Sequence, residues 1–533
     1  MSAGRGGTGD GIGWTMGEKG EQATVFAFLG RGDAYGAPGL EVERIDTHAA
    51  AVFLAGERAY KVKRAVRFSF LDFTALARRR AALEAELRLN RRTAPGLYRR
   101  VLPVTRGGDG ALALDGAGEP VEWLLEMARF DQDALLDRIA ARDELDDALI
   151  DRLAATVAGF HARAERRPDR GGYAGMVTVV DGNAEDFAGV PEGVLPADGV
   201  AALNREARAA LEARRALLEA RREAGRVRLC HGDLHLGNIV LLDGKPVLFD
   251  CIEFNESFAC IDVLYDLAFL LMDLCHRGLR AKARRLLDGY LDETRDDAGL
   301  ALLPLFLSCR AAIRAKVHGL AVAVQRDAAE RDGHARFARD YLREALEFLR
   351  PPPPRLVAIG GMSGTGKSSL AYRLAPELGA APGAVVLRSD LLRKRLMGAA
   401  PTERLGPEGY GREMTEAVYR RIEELAETLL RAGHTVIADA VYGDTAHRVR
   451  IWSVTVRTGA PFTGLWLEAP LEILQARVGA RRGDASDATA AVVRSQWRGL
   501  RAAKIRWHRL DASGDPETTA ERAHAIIEAP GGS

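Results

Sequence analysis

The sequence predicts two domains in tandem, an α+β domain followed by an α/β domain with a parallel sheet. Three observations carry this. Four consecutive prolines, Pro351 to Pro354, cannot lie inside a helix or a central strand and form a short stiff spacer. Before them, His231-Gly-Asp-Leu-His-Leu-Gly-Asn238 runs into a hairpin pattern, within a region that is β-rich at its start and helical at its end. After them, Gly361-Met-Ser-Gly-Thr-Gly-Lys-Ser368 lies between an apolar strand pattern and a helix. The expected boundaries are a tail over 1–22, a first domain over 23–349, the spacer over 350–354 and a second domain over 355–528.

Composition narrows the function classes. A chain of 533 residues with 47% hydrophobic composition can bury two or three cores. The 75 basic and 74 acidic side chains are interspersed, so no global charge calls for a nucleic acid or a membrane, and small-molecule partners are expected. Five cysteines at 230, 251, 260, 275 and 309 have no C-x-x-C spacing and apolar neighbours, which predicts buried reduced thiols and a cytoplasmic setting. No apolar run of membrane-spanning length is read, and the Gly-rich first residues cannot bury enough surface to order themselves.

In the first domain, a small mostly β lobe with one helix is expected from about Val25 to Met127, and a larger helical lobe from Ala134 to Leu349. Ile239-Val-Leu-Leu242, Asp243-Gly-Lys245 and Pro246-Val-Leu-Phe249 spell a hairpin, because Asp-Gly is a strong turn signal. Pairing Leu242 with Pro246 puts Asn238 opposite Asp250 at its open end, a pair of oxygen donors suited to magnesium. Asp233, on the loop leading in, is placed to accept a proton from an attacking hydroxyl.

This segment resembles the aminoglycoside phosphotransferase and choline kinase branch of the protein-kinase-like fold, whose H-G-D-x-H-x-x-N pattern it matches at every fixed position. The resemblance implies that Asp233 is the catalytic base, that Asn238 and Asp250 hold magnesium, that His231 orders the loop and that Asp266 buttresses it. His231 and His235 read as hydrogen-bonded structural residues. Val52 to Lys63 reads as two strands around Gly56; Ala59-Tyr-Lys61 keeps the spacing of the kinase V-A-I-K strand, so Lys61 is expected on the α- and β-phosphates, with Lys63 on the same face as the alternative. Two of only nine lysines fall here. A helix from about Leu76 to Arg92 offers Glu84 or Glu86 as ion-pair partner, Glu86 preferred, and the backbone of Glu126 to Ala128 is the candidate adenine hinge. Two departures stand out: no glycine-rich loop precedes Lys61, where Asp46-Thr-His-Ala49 forms the turn, and Asp250-Cys-Ile-Glu253 replaces the commoner D-F-G or D-F-E.

In the second domain, glycines let backbone N–H groups close around a β-phosphate at a helix N-terminus. The nucleotide set is Gly361, Ser363, Gly364, Thr365, Gly366, Lys367, Ser368 and Ser369, with Lys367 on the β- and γ-phosphates and Ser368 on magnesium. A strand ending at Asp390 points that carboxylate into the site, since ligands of open α/β sheets bind at the carboxyl ends of strands; Asp439, ending another strand, is the carboxylate expected behind the direct ligands of magnesium. The pattern resembles the small P-loop kinases that include gluconate kinase, adenylylsulfate kinase, zeta toxins and polynucleotide kinase. That implies that Asp390 binds or deprotonates the acceptor hydroxyl, with Arg393 near it, and that Arg477 and Arg481 belong to a lid.

As a whole the chain resembles bacterial bifunctional proteins that fuse an aminoglycoside phosphotransferase-like domain to an ATP-binding domain. The expectation is a kinase using ATP and magnesium, with two nucleotide sites and a small hydroxyl compound as acceptor. Rival readings are a drug-resistance kinase in the first domain, for which only Asp143 to Asp147 supplies an acidic cluster, and a nucleic-acid end kinase or an ATP-dependent regulator in the second.

Overall fold

The computed structural model describes residues 20–47, 49–67, 71–400, 402–480, 485–500 and 505–529. Contacts divide the chain into two compact units, one comprising residues 1–276 and 305–349, the other residues 277–304 and 350–533.

The first unit opens with α1 (Glu21–Leu29), which starts just inside the stretch expected to be tail, and continues with β1 (Val42–Asp46), β2 (Ala50–Ala55), β3 (Arg58–Lys63), α2 (Leu76–Asn90), β4 (Tyr98–Arg106), β5 (Leu112–Leu114) and β6 (Glu119–Ala128). These strands make one six-stranded sheet in the order β1-β2-β3-β6-β4-β5, antiparallel at every pairing. Alternation puts Ala51, Phe53, Ala55, Tyr60 and Val62 on one buried face with α1, while Lys61 and Lys63 leave β3 on the opposite face. The small lobe thus holds α1 as well as the one helix expected.

The larger lobe follows with α3 (Leu136–Ala141), α4 (Asp147–Arg163), α5 (Gly172–Phe187), α6 (Ala197–Ala213), α7 (Arg215–Glu223), β7 (Val227–Leu229), β8 (Ile239–Leu242), β9 (Lys245–Leu248), α8 (Glu256–Ala259), β10 (Cys260–Asp262) and α9 (Val263–His276). Helix α9 is buried from Val263 to Leu274 and is the spine of this lobe.

The β8–β9 register corrects the expected one. Leu242 pairs with Lys245, not Pro246, so Asn238 faces Phe249, whose N–H donates to Asn238 O at 3.0 Å. The cause is the turn: Asp243 (φ 48°) and Gly244 (φ 72°) both take positive φ, the two-residue loop that matches strand twist, and Lys245 is left to start β9. Asp250 comes one residue later and leaves the strand with φ 62°.

Next in the chain come α10 (Arg280–Thr294), α11 (Leu303–Val324) and α12 (Ala328–Leu349). The stretch Asp297–Val324 is long and apolar enough to cross a membrane by length and composition, against the expectation of no such run, but 72% of its most apolar window is buried inside the protein, as a core helix requires.

In the second unit the chain alternates strand and helix: β11 (Leu356–Gly361), α13 (Lys367–Leu374), β12 (Val385–Arg388), α14 (Ser389–Met397), α15 (Arg412–Arg431), β13 (Val436–Asp439), α16 (Thr445–Thr458), β14 (Phe462–Glu468), α17 (Leu471–Ala480), α18 (Ala490–Leu500), β15 (His508–Asp511) and α19 (Pro516–Glu528). The sheet is parallel, in the order β12-β13-β11-β14-β15. Its inner strands β13, β11 and β14 are buried along almost their whole length, as in a parallel sheet covered by helices, whereas edge strand β15 is mostly exposed. Helix α15 shows why a surface helix docks: Val418, Tyr419, Ile422, Leu425, Ala426, Leu429 and Leu430 recur at three- and four-residue spacing and are buried.

Candidate active sites

In the first site the loop from His231 to Asn238 is held by acids on α9. Asp266 and Asp273 lie seven residues apart, hence on one helix face. Asp266 accepts from the N–H groups of His231 (3.1 Å) and Gly232 (2.8 Å) and bonds His161 Nε2 at 3.0 Å, and Asp273 accepts from Leu236 N–H at 2.9 Å. Both acids are buried, so these charge-assisted bonds fix the loop firmly. His231 ties the loop to the hairpin, its Nε2 lying 2.8 Å from Phe249 O.

On that loop Asn238 Nδ2 donates to Asp233 Oδ2 at 3.0 Å and to Asp233 O at 2.9 Å. His235 accepts from Gly237 N–H through Nδ1, which leaves Nε2 as the protonated nitrogen, 3.5 Å from Asp233 Oδ2. Burial alone would raise the Asp233 pKa; His235, His231 and Arg314 outweigh it and hold the carboxyl well below the usual range. Asp233 is ionised at neutral pH. Its charge reaches Asp250, whose own pKa burial raises but Lys61 and Lys63 bring down.

Lys61 Nζ lies 2.7 Å from Glu86 Oε1 and 2.5 Å from Asp250 Oδ1. Glu84, the other candidate, is exposed and pairs with Arg80 on its own helix. Asp250 is further fixed by Tyr98 Oη, which accepts from its N–H at 3.0 Å, and the next residue by Asn90 Oδ1, which accepts from Cys251 N–H at 2.8 Å. Asn90, Tyr98, Asp273 and Glu253 were missed as site residues; nothing in their spacing marks them, because each meets the site only through the fold. The expected hinge is also revised: Glu126 and Met127 lie in the inner strand β6, paired with β3 and β4, and Ala128 N–H donates to Leu97 O, so their backbone is already engaged.

In the second site Gly361, Gly364 and Gly366 take φ of 141°, 91° and 90°. A Cβ on Gly364 would come within 2.7 Å of Leu474 O, so only glycine fits. Lys367 opens α13, with Nζ 3.1 Å from Met362 O, and Ser363 N–H donates to Gln496 Oε1 at 2.8 Å. Ser368 Oγ donates to Asp439 Oδ2 at 2.5 Å, and Arg388 Nε lies 3.8 Å from the same oxygen. Burial raises the Asp439 pKa, opposed by Lys367 and Arg388. Helix α14 begins at Ser389, earlier than expected, so Asp390 sits in its first turn. Ser363, Gly364, Gly366, Lys367, Ser368, Ser369, Ser389, Asp390 and Asp439 line one cavity of about 220 Å³. Thr365, Arg477, Ala512, Gly514 and Pro516 line another of about 230 Å³ alongside the same loop.

Arg393 donates to Gly409 O at 2.7 Å and Arg477 to Ala512 O at 2.7 Å. In this arrangement both guanidinium groups bond backbone carbonyls. Arg481 lies outside the described residues. Both sites fit magnesium by donor chemistry, which for that ion is all oxygen: Asn238 spends its amide nitrogen on Asp233, which leaves Oδ1 as a donor, Asp250 directly follows Phe249, the residue opposite Asn238, and Ser368 and Asp439 meet directly in the second site.

A buried lysine–glutamate pair bonded to the acid that follows a hairpin, and a glycine loop at the carboxyl edge of a parallel sheet, are together the features of a phosphotransferase. Comparison agrees. Residues 52–303 match a family described as the phosphotransferase enzyme family, and residues 356–503 match one described as an AAA domain. Uncharacterized protein Rv2004c of Mycobacterium tuberculosis is 30% identical over 494 residues, covering 90% of this chain and 94% of its own, and a Mycobacterium bovis protein, Mb2027c, matches equally. An adenylyl-sulfate kinase of Myxococcus xanthus is 32% identical over 117 residues, 22% of this chain and 59% of that protein. Among solved structures, amicoumacin kinase hAmiN is 15% identical with a TM-score of 0.38, covering 61% of this chain and 93% of its own. The Mycobacterium tuberculosis APS kinase CysC is 22% identical with a TM-score of 0.26, covering 33% and 99%. The chain belongs to the family of these mycobacterial proteins and is a kinase, a phosphotransferase-family domain fused to a P-loop kinase domain.

Proposed function

We propose that each domain binds Mg-ATP and that at least one transfers the γ-phosphoryl group to a hydroxyl of a small molecule. The observation that carries this reading is the meeting of Lys61, Glu86 and Asp250 in one bonded group, with Asp233 bonded to Asn238 on the loop that leads into the same hairpin.

In the first domain Lys61 holds the α- and β-phosphates, Asn238 and Asp250 hold the metal, and Asp233 takes the acceptor's proton. A carboxylate of such low basicity suits a loose transition state, in which the attacking hydroxyl becomes acidic only as the new bond to phosphorus forms. Magnesium, when bound, neutralises charge on the phosphate oxygens.

In the second domain the backbone N–H groups of Gly364 to Lys367 surround the β-phosphate, and Lys367 reaches the γ-phosphate. Ser368 and Asp439 hold the metal, and Asp390 orients and deprotonates the acceptor. Thr365 and Arg477 border the nucleoside cavity, and Ser363 and Ser369 border the phosphates. The five cysteines, all free, support a cytoplasmic setting.

The test is to incubate the protein with a metabolite extract and labelled ATP, and to compare Asp233→Ala with Lys367→Ala by mass spectrometry. Two products, each lost with one variant, are expected if both domains transfer phosphate, and one if a single domain does. Labelled products that survive both substitutions would refute the reading.

A further inference from the structure

Lys63 and Glu253 have no part in the mechanism above, yet both are buried in the first site. Lys63 Nζ lies 2.6 Å from Glu86 Oε2 and 2.6 Å from Glu253 Oε1, and the two side chains are 4% and 6% exposed. With the bonds of Lys61, the five groups form one ladder: Asp250, Lys61, Glu86, Lys63, Glu253. Glu86 is the central rung: Oε1 accepts a hydrogen bond from Lys61, and Oε2 forms an ion pair with Lys63. The outer acids come from the same short segment, which Asn90 and Tyr98 hold by its backbone.

The physical difficulty lies with Glu86, which is fully buried. A buried carboxylate is tolerated only while an opposite charge stays on it. Lys61 must serve Glu86 and also the nucleotide phosphates, and it is bonded to Asp250, which the metal needs. As Lys61 turns toward phosphate, a lone pairing with Glu86 would loosen. Lys63 has no such second duty, because Glu253 and Glu86 enclose its ammonium. The ladder also holds three carboxylates against two ammonium groups, an excess of negative charge that a divalent cation beside Asp250 balances.

We infer that Lys63 and Glu253 are positioning residues, a standing counter-ion pair that keeps Glu86 neutralised and segment 250–253 fixed while Lys61 exchanges Asp250 for the nucleotide. The inference rests on the nucleotide reading of the first site.

The test uses the full-length chain carrying Lys367→Ala, so that nucleotide binding reports the first domain. AMP-PNP is titrated calorimetrically with and without Mg²⁺, well below the melting temperature, and circular dichroism checks each variant for folding. Lys63→Met and Glu253→Gln are each expected to weaken Mg-dependent binding by about tenfold or more, with Lys63→Arg recovering most of it. Metal-free binding should change far less in Glu253→Gln, a split that a purely structural role would not produce. Should Lys63→Met not fold, the isosteric Glu253→Gln decides. Wild-type affinity in folded Glu253→Gln, or a Lys63→Met loss that Lys63→Arg does not restore, overturns the inference. Loss of binding in Lys61→Met marks such a failure as the inference's alone; unchanged binding in Lys61→Met overturns the site reading with it.

Discussion

Asp266 makes three hydrogen bonds from a position with no solvent access, and all three partners are themselves buried. Replacing it with alanine strands two backbone N–H groups and a buried histidine, so Asp266→Ala should destabilise the first unit by about 3 kcal/mol or more, measured by denaturant unfolding. A loss below about 1 kcal/mol would mean that the loop finds other partners. Asp233 differs, because in the proposed reaction it takes the acceptor's proton from a loop that is already fixed. Asp233→Asn should lower turnover of the first domain by about 10² to 10⁴ while Mg-nucleotide affinity stays within a few fold. Asp233, Asn238 and Lys367 could be read from motifs as candidates because the chemistry proposed for them demands a residue type at a spacing. Tyr98 and Asn90 could not, since any donor or acceptor that the fold brings there would serve.

Turns and helix packing set the behaviour of elements. Gly244 and Gly364 both have positive φ, but only Gly364 has backbone where a Cβ would go. Gly244→Ala should therefore cost about 1 kcal/mol of stability and leave function intact. Gly364→Ala should abolish nucleotide protection of the second unit against heat, because the phosphate loop must open to admit the methyl group. Between α11 and α12, His318 stacks on Tyr341 and packs at a tilt against Phe337, with Nδ1 3.0 Å from His334 Nδ1. Burial, with Arg314, His334 and His276 nearby, lowers its pKa from 6.5 to about 2. Because the folded value is the lower one, the unfolded chain gains a proton that the native protein refuses as pH falls below 6.5. Stability is thus full above that pH and should drop by about 2 kcal/mol from pH 7 to pH 5 through this residue. His318→Leu should remove that share of the slope in denaturant unfolding; an unchanged slope would place the titration elsewhere. The helices and strands were largely legible from apolar periodicity, whereas the hairpin register was not. It turned on whether the loop held two residues or three, a choice that positive φ at Asp243 decides.

At the scale of the molecule, the order of chain and the order of packing disagree in one place. Residues 277–304 precede the proline spacer and, up to residue 303, fall within the phosphotransferase match, but they belong to the second compact unit. Arg280 donates to Gly379 O at 2.8 Å and to Pro382 O at 3.2 Å, Arg284 donates to Gly383 O, Asp292 pairs with Arg395, and His434 Nε2 lies 2.8 Å from Leu300 O. A fragment beginning at residue 350 should for this reason melt lower than the second unit does in the whole chain and bind hydrophobic dye, as buried partners lose their cover. Equal melting temperatures would show that α10 adds nothing.

Local chemistry was enough to announce a phosphotransferase-family domain, a P-loop kinase domain and their alternating elements, because each is enforced within a few residues by backbone geometry or charge. Which lysine Glu86 would share, what would anchor the catalytic loop, and to which unit α10 would belong depended on groups from distant parts of the chain converging. Such convergence leaves no periodicity or spacing behind: it arises only when whole surfaces are buried together, and it is then that a buried charge must find its partner.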